Sequence, residues 1–197
     1  MNPQSTTGTP PEKAATAAAL PSEKPQSSTG DRKIARAFGL EGDGWMKHAN
    51  PASVWTRFSA LSLSALAIWS RDWIGVWCLI PVALAVVWLF VNPLFFKAPK
   101  STRNWASRSV LGERIWVDRD KIELPEQFRS RASSLVANAY STIGLGFLAF
   151  GLIDLNVLAT VAGLLITHGG KAWYLDRISL LFADMKSRNS EYAAWDY

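Results

Sequence analysis

The chain has 197 residues, 49% of them hydrophobic and 19% charged, with a formal net charge of +5 and ten Trp residues. Its apolar residues gather in four blocks instead of recurring with an amphipathic period, which argues against a soluble helical bundle. The basic residues come with no nucleic-acid-binding signature, so anionic lipid headgroups are the expected partner of the positive charge, and nucleic acid is not.

Residues 1–30 are rich in Pro, Ser, Thr, Ala and Gln and hold no aromatic or β-branched aliphatic side chain. Such a stretch cannot bury enough apolar surface to offset its conformational entropy, so a disordered cytosolic tail is expected. No apolar region follows its charges, so no cleavable signal peptide is expected. Residues 31–50 form a cytosolic or interfacial lead-in. The spacing predicts a short helix over Asp31–Phe38, with Asp31 as cap and Ile34, Ala37 and Phe38 on one face, stopped by Gly39.

The four blocks are Pro51–Ser70, Trp73–Phe96, Ser134–Ile153 and Val157–Leu175. Each is near the ~20 residues that a helix needs to cross the hydrocarbon core. They pair as two hairpins, 51–96 and 134–175, joined by tight turns at Ser70-Arg71-Asp72 and Asp154-Leu155-Asn156. The expected fold is all-α and integral to the membrane, with four transmembrane helices. The first block is the weakest crossing, because its uncharged part, Phe58–Ser70, has only 13 residues. It spans if Arg57 snorkels toward the inner headgroups; a re-entrant segment is the alternative. Pro81 should kink the second helix and Asn92-Pro93 mark its inner end. In the third, Gly144, Gly146 and Gly151, with Ala139, Ser141 and Ala149, allow close backbone approach and point to the centre of the bundle.

An even number of crossings puts 18 of the 21 Lys and Arg residues on one side. Positive loops mark the cytoplasmic side, so both termini are expected in the cytoplasm, with the chain in a plasma or bacterial inner membrane. Trp55, Trp69, Trp73, Trp77 and Trp173 sit at block ends, as in the two aromatic belts of a membrane protein.

Between the hairpins, residues 97–133 are polar and predominantly basic. They are read as a cytosolic interfacial segment. A helix over Ser101–Leu111, capped by Ser101, would dip Trp105 into the membrane. Beyond Gly112, the alternation in Arg114–Val117 and Lys121–Leu124 suggests a small β-hairpin around Asp118-Arg119-Asp120, ended by Pro125. Residues 176–197 are read as a cytosolic tail.

The ionisable residues with the clearest placement all fall at the inner membrane boundary. His48, Arg57, Glu113, Arg114, His168, Lys171, Asp176 and Arg177 form one candidate set, walled by Trp55, Trp105, Trp116 and Trp173. Two readings stand beside each other. In one, these residues build a cytosol-facing pocket for an anionic headgroup or similar ligand, with Arg and Lys as phosphate partners. In the other, they only anchor helix ends. Lys171 and His168 are the residues to weigh, because an ionisable group within a crossing is costly. A metal site is not expected, since His48 and His168 come from different segments and Cys78 is the only cysteine. No hydrolase elbow or phosphate-binding Gly-rich pattern occurs, and no cofactor is implied.

Three function classes follow: a non-catalytic scaffold, assembly or lipid-binding module; a small transporter or channel subunit; and an intramembrane enzyme using His48, Glu113 and Asp176 for acid/base chemistry. A homo-oligomer or a membrane-protein partner fits the first. The motifs KHANPASVWTRF (Lys47–Phe58), STRNWASRSVLGERIW (Ser101–Trp116) and GKAWYLDRISLLFADM (Gly170–Met185) resemble a family of small multipass prokaryotic membrane proteins classed only as a domain of unknown function. The resemblance covers roughly Trp45–Lys186. It implies a multipass membrane protein and supplies no activity, substrate or catalytic residue.

Overall fold

In the computed structural model of the chain, which describes residues 29–37, 40–130 and 132–197, every regular element is a helix. Nearly all of the expected disordered tail lies outside the described residues, as do Phe38 and Gly39. The short helix predicted next is present as α1 (Thr29–Ala37), with Asp31 inside it instead of capping it. After α2 (Gly44–His48), Asn50 caps α3 (Pro51–Phe58) by accepting from the Ala52 N–H at 3.0 Å. Pro51 takes the first helical position, where an N–H has no intrahelical partner to lose.

The first apolar block continues through Ser59 into α4 (Ala60–Trp69). The chain then reverses over more residues than the tight turn expected from Ser70-Arg71-Asp72. α5 (Arg71–Ile74) and a 3-10 turn (Gly75–Cys78) carry the reversal, and Gly75 has φ +57°, a region that its missing Cβ leaves open. α6 (Leu79–Phe95) returns alongside α4 and α3. Pro81 falls in its first turn, where a missing N–H breaks no bond, and Asn92 lies within the helix instead of ending it. The fully buried Asn92 amide stands 2.5 Å from Ser53 Oγ and 2.8 Å from Thr56 Oγ1. With its oxygen turned to Thr56, it also accepts from the Trp88 indole N–H at 3.2 Å. A buried amide satisfied on both sides pins the C-terminal part of α6 to α3.

The predicted β-hairpin does not form. α7 (Trp105–Val117) takes in the first of its two strands as helix and a turn with irregular chain follows through Leu124; Asn104 caps α7, its side chain accepting from the Ser107 N–H at 2.9 Å. Helix wins because Leu111 and Ile115, four apart, then share a buried face. Ser101, expected as the cap, instead donates to the Tyr197 carbonyl at 2.8 Å. α8 (Glu126–Arg129) precedes α9 (Ala132–Ile153). α10 (Val157–Arg188) then runs well past Leu175, so residues 176–188 are helix and core, not tail. Leu111 and Ile115 of α7 meet Ile178, Leu181, Phe182 and Met185 there, with Tyr192 of α11 (Ser190–Ala193). Residues 195–197 fold back beneath α7: Thr102 Oγ1 donates to the Trp195 carbonyl at 2.6 Å, and Thr102 N to the Tyr197 carbonyl at 2.8 Å.

Two stretches, Pro51–Asn92 and Glu126–Ile153, are long and apolar enough to cross a membrane. Val157–Leu175 is less apolar, because its second half carries His168 and Lys171. α9 and α10 nevertheless pack antiparallel along their whole shared length. Gly144, Leu148 and Gly151 on one helix meet Thr167, Gly163 and Thr160 on the other. A methyl group on Gly144 would stand 2.5 Å from the Thr167 nitrogen, so the two backbones are in direct contact. The sequence reading also placed Gly146 in this seam. It is not there: nothing lies within 4 Å of its missing Cβ. Two residues from Gly144 is the wrong helical angle for the seam. α7 uses the same device, since a methyl group on Gly112 would collide with the Ile178 carbonyl.

Gly112→Ala, Gly144→Ala and Gly151→Ala should each lower stability by about 2–3 kcal/mol or more, because backbone cannot yield as a side chain can. Gly146→Leu should be tolerated. Melting temperatures of the detergent-purified variants test this, and a Gly146→Leu protein as unstable as Gly144→Ala would refute the packing described.

Candidate functional site

Five residues of the candidate set come together in one cavity of about 410 Å³: His48, Arg57, Glu113, His168 and Lys171. α3 and α4 form one wall, α9 and α10 the other, and Ser109, Val110 and Glu113 of α7 the floor. At one end these walls are tied. The Trp69 indole donates to Thr160 Oγ1 at 3.2 Å, and Arg71 donates to the Ile153 carbonyl at 2.6 Å and to that of Leu152. The cavity lies toward their other end.

Arg57 is held from three sides. Its Nε donates to the Ser53 carbonyl at 3.1 Å, Nη2 to the His48 carbonyl at 3.1 Å, and Nη1 meets the His48 ring, 2.7 Å from Nδ1. A guanidinium carries five N–H groups, so donors remain for the cavity. His48 accepts from a cation and is therefore kept uncharged. Burial, reinforced by the charges of Arg57 and Lys171, lowers its pKa from the usual 6.5 to about 2.

His168 presents no spare nitrogen. Nδ1 lies 2.8 Å from the Leu164 carbonyl and Nε2 3.1 Å from the Phe58 carbonyl, while the ring packs edge-on against Phe58. It ties the junction of α3 and α4 to α10 and so fixes the cavity's width. Lys171 is the more exposed cation: its side chain is half exposed, and its Nζ reaches Glu113 Oε1 only at 3.7 Å. A loose, exposed pair of this kind contributes little to stability.

The other predicted residues do not converge. Arg114 lies 4.0 Å above the Trp195 ring, part of the folded-back C-terminal segment. Burial lowers its pKa from the ordinary guanidinium range, against the opposing pull of Glu191 and Asp118. Asp176 and Arg177 pair with each other at 3.5 Å, half exposed. The acid/base trio of His48, Glu113 and Asp176 is therefore not assembled. Trp55 and Trp105 stack together at 5.8 Å, Trp116 faces a neighbouring cavity, and Trp173 is exposed. The walls are instead Val54, Phe58, Leu61, Val110 and Leu175. The sequence reading missed Ser109, Asn138, Ser141 and Thr167 as lining residues. Their signal was present: Asn138 and Ser141 are three apart, Thr167 and Lys171 four apart, so each pair marks one polar helix face. Among the described residues, no group of three or more His, Cys, Asp or Glu side chains is placed to hold a metal ion.

The sequence pattern of DUF6653, described as a family of unknown function, matches residues 29–196. No curated protein and no solved structure matches the chain.

The depressed His48 pKa fixes a pH dependence. The unfolded chain takes up a proton below about pH 6.5 that the folded chain refuses until about pH 2, so stability is complete above 6.5 and falls as the pH drops. Between pH 6.5 and 5 the loss is roughly 2 kcal/mol, at about 1.4 kcal/mol per pH unit. The melting temperature of the purified protein should therefore drop more between pH 7 and 5 than that of His48→Asn, whose amide still accepts from Arg57. Equal drops would show that His48 protonates freely in the folded state.

Proposed function

The chain thus belongs to DUF6653, and on that premise we propose a four-crossing, non-catalytic membrane protein that binds an anionic group at the inner membrane boundary. Several features support four crossings. Pro51–Asn92 is one apolar stretch that doubles back through Arg71–Cys78, which divides it into two crossings. α9 supplies a third, and the first half of α10, seated along it backbone to backbone, a fourth. Lys171 lies close enough to the inner end of such a crossing for its stem to snorkel. The segregation of 18 of 21 Lys and Arg residues supports cytoplasmic termini.

The observation that carries the binding reading is an uneven charge. Arg57 and Lys171 are positive, Glu113 is the one carboxylate among the described residues that line the cavity, and His48 is neutral. One positive charge is left without a counter-charge at the edge of a low-dielectric region, where unbalanced charge is costly. A headgroup phosphate restores the balance and suits the remaining Arg57 donors.

In a Cys78→Ala background, Asp72→Cys and Asn156→Cys should react with an impermeant thiol reagent applied outside. Lys121→Cys and Ser190→Cys should react only once the inner face is opened. Labelling of Lys121→Cys from outside would end the four-crossing reading. Lys171→Gln should insert normally yet lose anionic lipid affinity by about fivefold, the equivalent of ~1 kcal/mol per surface-level cation. Mass spectrometry of lipid retained through purification measures this, and unchanged retention would reduce Lys171 to an anchor.

A further inference from the structure

A second cavity of about 500 Å³ adjoins the first, and the two share Glu113, Asn138, Ser141 and Lys171. Its chemistry differs. Leu40, Trp45, Trp116, Val117, Leu135 and Tyr174 give it a predominantly apolar and aromatic wall. Its cations already lie over rings: Arg119 is 4.9 Å from the Trp116 centroid, and Lys171 Nζ is 5.5 Å from that of Tyr174. Leu135 and Asn138, three apart on α9, line this cavity and are themselves exposed. The space therefore opens onto the flank of α9, close to its inner end. Trp69 tied to Thr160 and Arg71 tied to the end of α9 hold the two hairpins together at the opposite end.

We propose that the two cavities form one site for an anionic lipid. Its headgroup phosphate meets Arg57 and Lys171 in the first cavity, and one of its apolar chains lies in the second. The proposal rests on the reading that the first cavity binds an anion, and extends it to the ligand's class and its way in. A free phosphate ion would use the charged half alone and leave the apolar half to water. An amphiphile matches both halves, and it reaches them sideways from the inner leaflet past Leu135 and Asn138. Each methylene buried in the second cavity should raise affinity roughly fourfold.

The test is thermal stabilisation of the full chain in detergent by four probes: dioctanoyl phosphatidic acid, dihexanoyl phosphatidic acid, glycerol phosphate and inorganic phosphate. Dioctanoylglycerol serves as the uncharged control of equal chain length. The expected order of half-saturating concentration puts the dioctanoyl acid about fifteenfold below the dihexanoyl acid, and both far below the soluble phosphates, with the neutral control inactive. Leu135→Trp, which fills the mouth of the second cavity, should erase the advantage of the lipids and leave the response to glycerol phosphate. Lys171→Gln should weaken every anionic probe. If glycerol phosphate and the lipids half-saturate at the same concentration, the site takes a soluble anion and the lipid proposal is wrong, although the anion reading stands. If no anionic probe stabilises the protein, that underlying reading fails. Should Leu135→Trp not fold, the chain-length series on the unaltered protein decides alone, and a flat series overturns the proposal.

Discussion

Direct backbone contact along α10 is the constraint on which the rest of the structure depends. The helix is 32 residues long and serves two environments. Its first half lies in an apolar seam with α9, and its second half forms a soluble-type core with α7 and α11. Glycine makes both contacts possible, at Gly144, Gly151 and Gly163 in the seam and at Gly112 in the core. The position of the cavity follows. Gly112 rests on Ile178, which is two helical turns from Lys171, and so the neighbouring Glu113 is carried to the level where Lys171 can reach it. A side chain at position 112 would lift α7 away, taking with it the floor of the cavity and its carboxylate, Glu113.

The cation in the cavity wall is stabilised by an arrangement that leaves it chemically available. Arg57 sits in an apolar stretch, yet two backbone carbonyls and an uncharged imidazole receive its donors. A carboxylate in place of His48 would cancel the charge. A neutral acceptor holds the guanidinium in place and leaves its charge uncancelled. His168 plays a different part, because both of its ring nitrogens are directed at carbonyls and none at the cavity. The two histidines, alike in sequence as candidate ligands, are thus a charge-preserving acceptor and a spacer.

Hydropathy made the level of each residue along a helix legible, and little more. The ends of the apolar blocks place His48, Arg57, Glu113, His168 and Lys171 at one height, and these five do line one cavity. Arg114 and Arg177 lie near the same level but face elsewhere, because azimuth is set by packing partners that a linear pattern does not name. Arg114 is taken by Trp195, eighty-one positions further along the chain. The same limit explains Gly146, which has the right depth and the wrong angle. The expected β-hairpin failed for another reason. The local alternation through Arg114–Val117 was real, but Leu111 and Ile115 together offered α10 a longer apolar stripe than two short strands could. Local pattern lost to tertiary burial.

The boundaries of the family match bear on what counts as the working unit. The motif resemblance began near Trp45, whereas the match begins at Thr29, where α1 begins, and so takes in the whole of that helix. α1 earns its place structurally through Arg32, whose Nε lies 3.0 Å from Asp118 and whose Nη2 meets Asp120. Those two aspartates stand just past the end of α7, so the ion pairs hold α1 across the helix that forms the floor of both cavities. Ala35 is buried against the cluster containing Trp45, Val54 and Val110, while Ile34 and Ala35 also border the second cavity. Removing α1 would therefore open the apolar cavity to solvent and leave the charged one nearly intact. Of the two cavities, the apolar one is the one that needs the N-terminal helix.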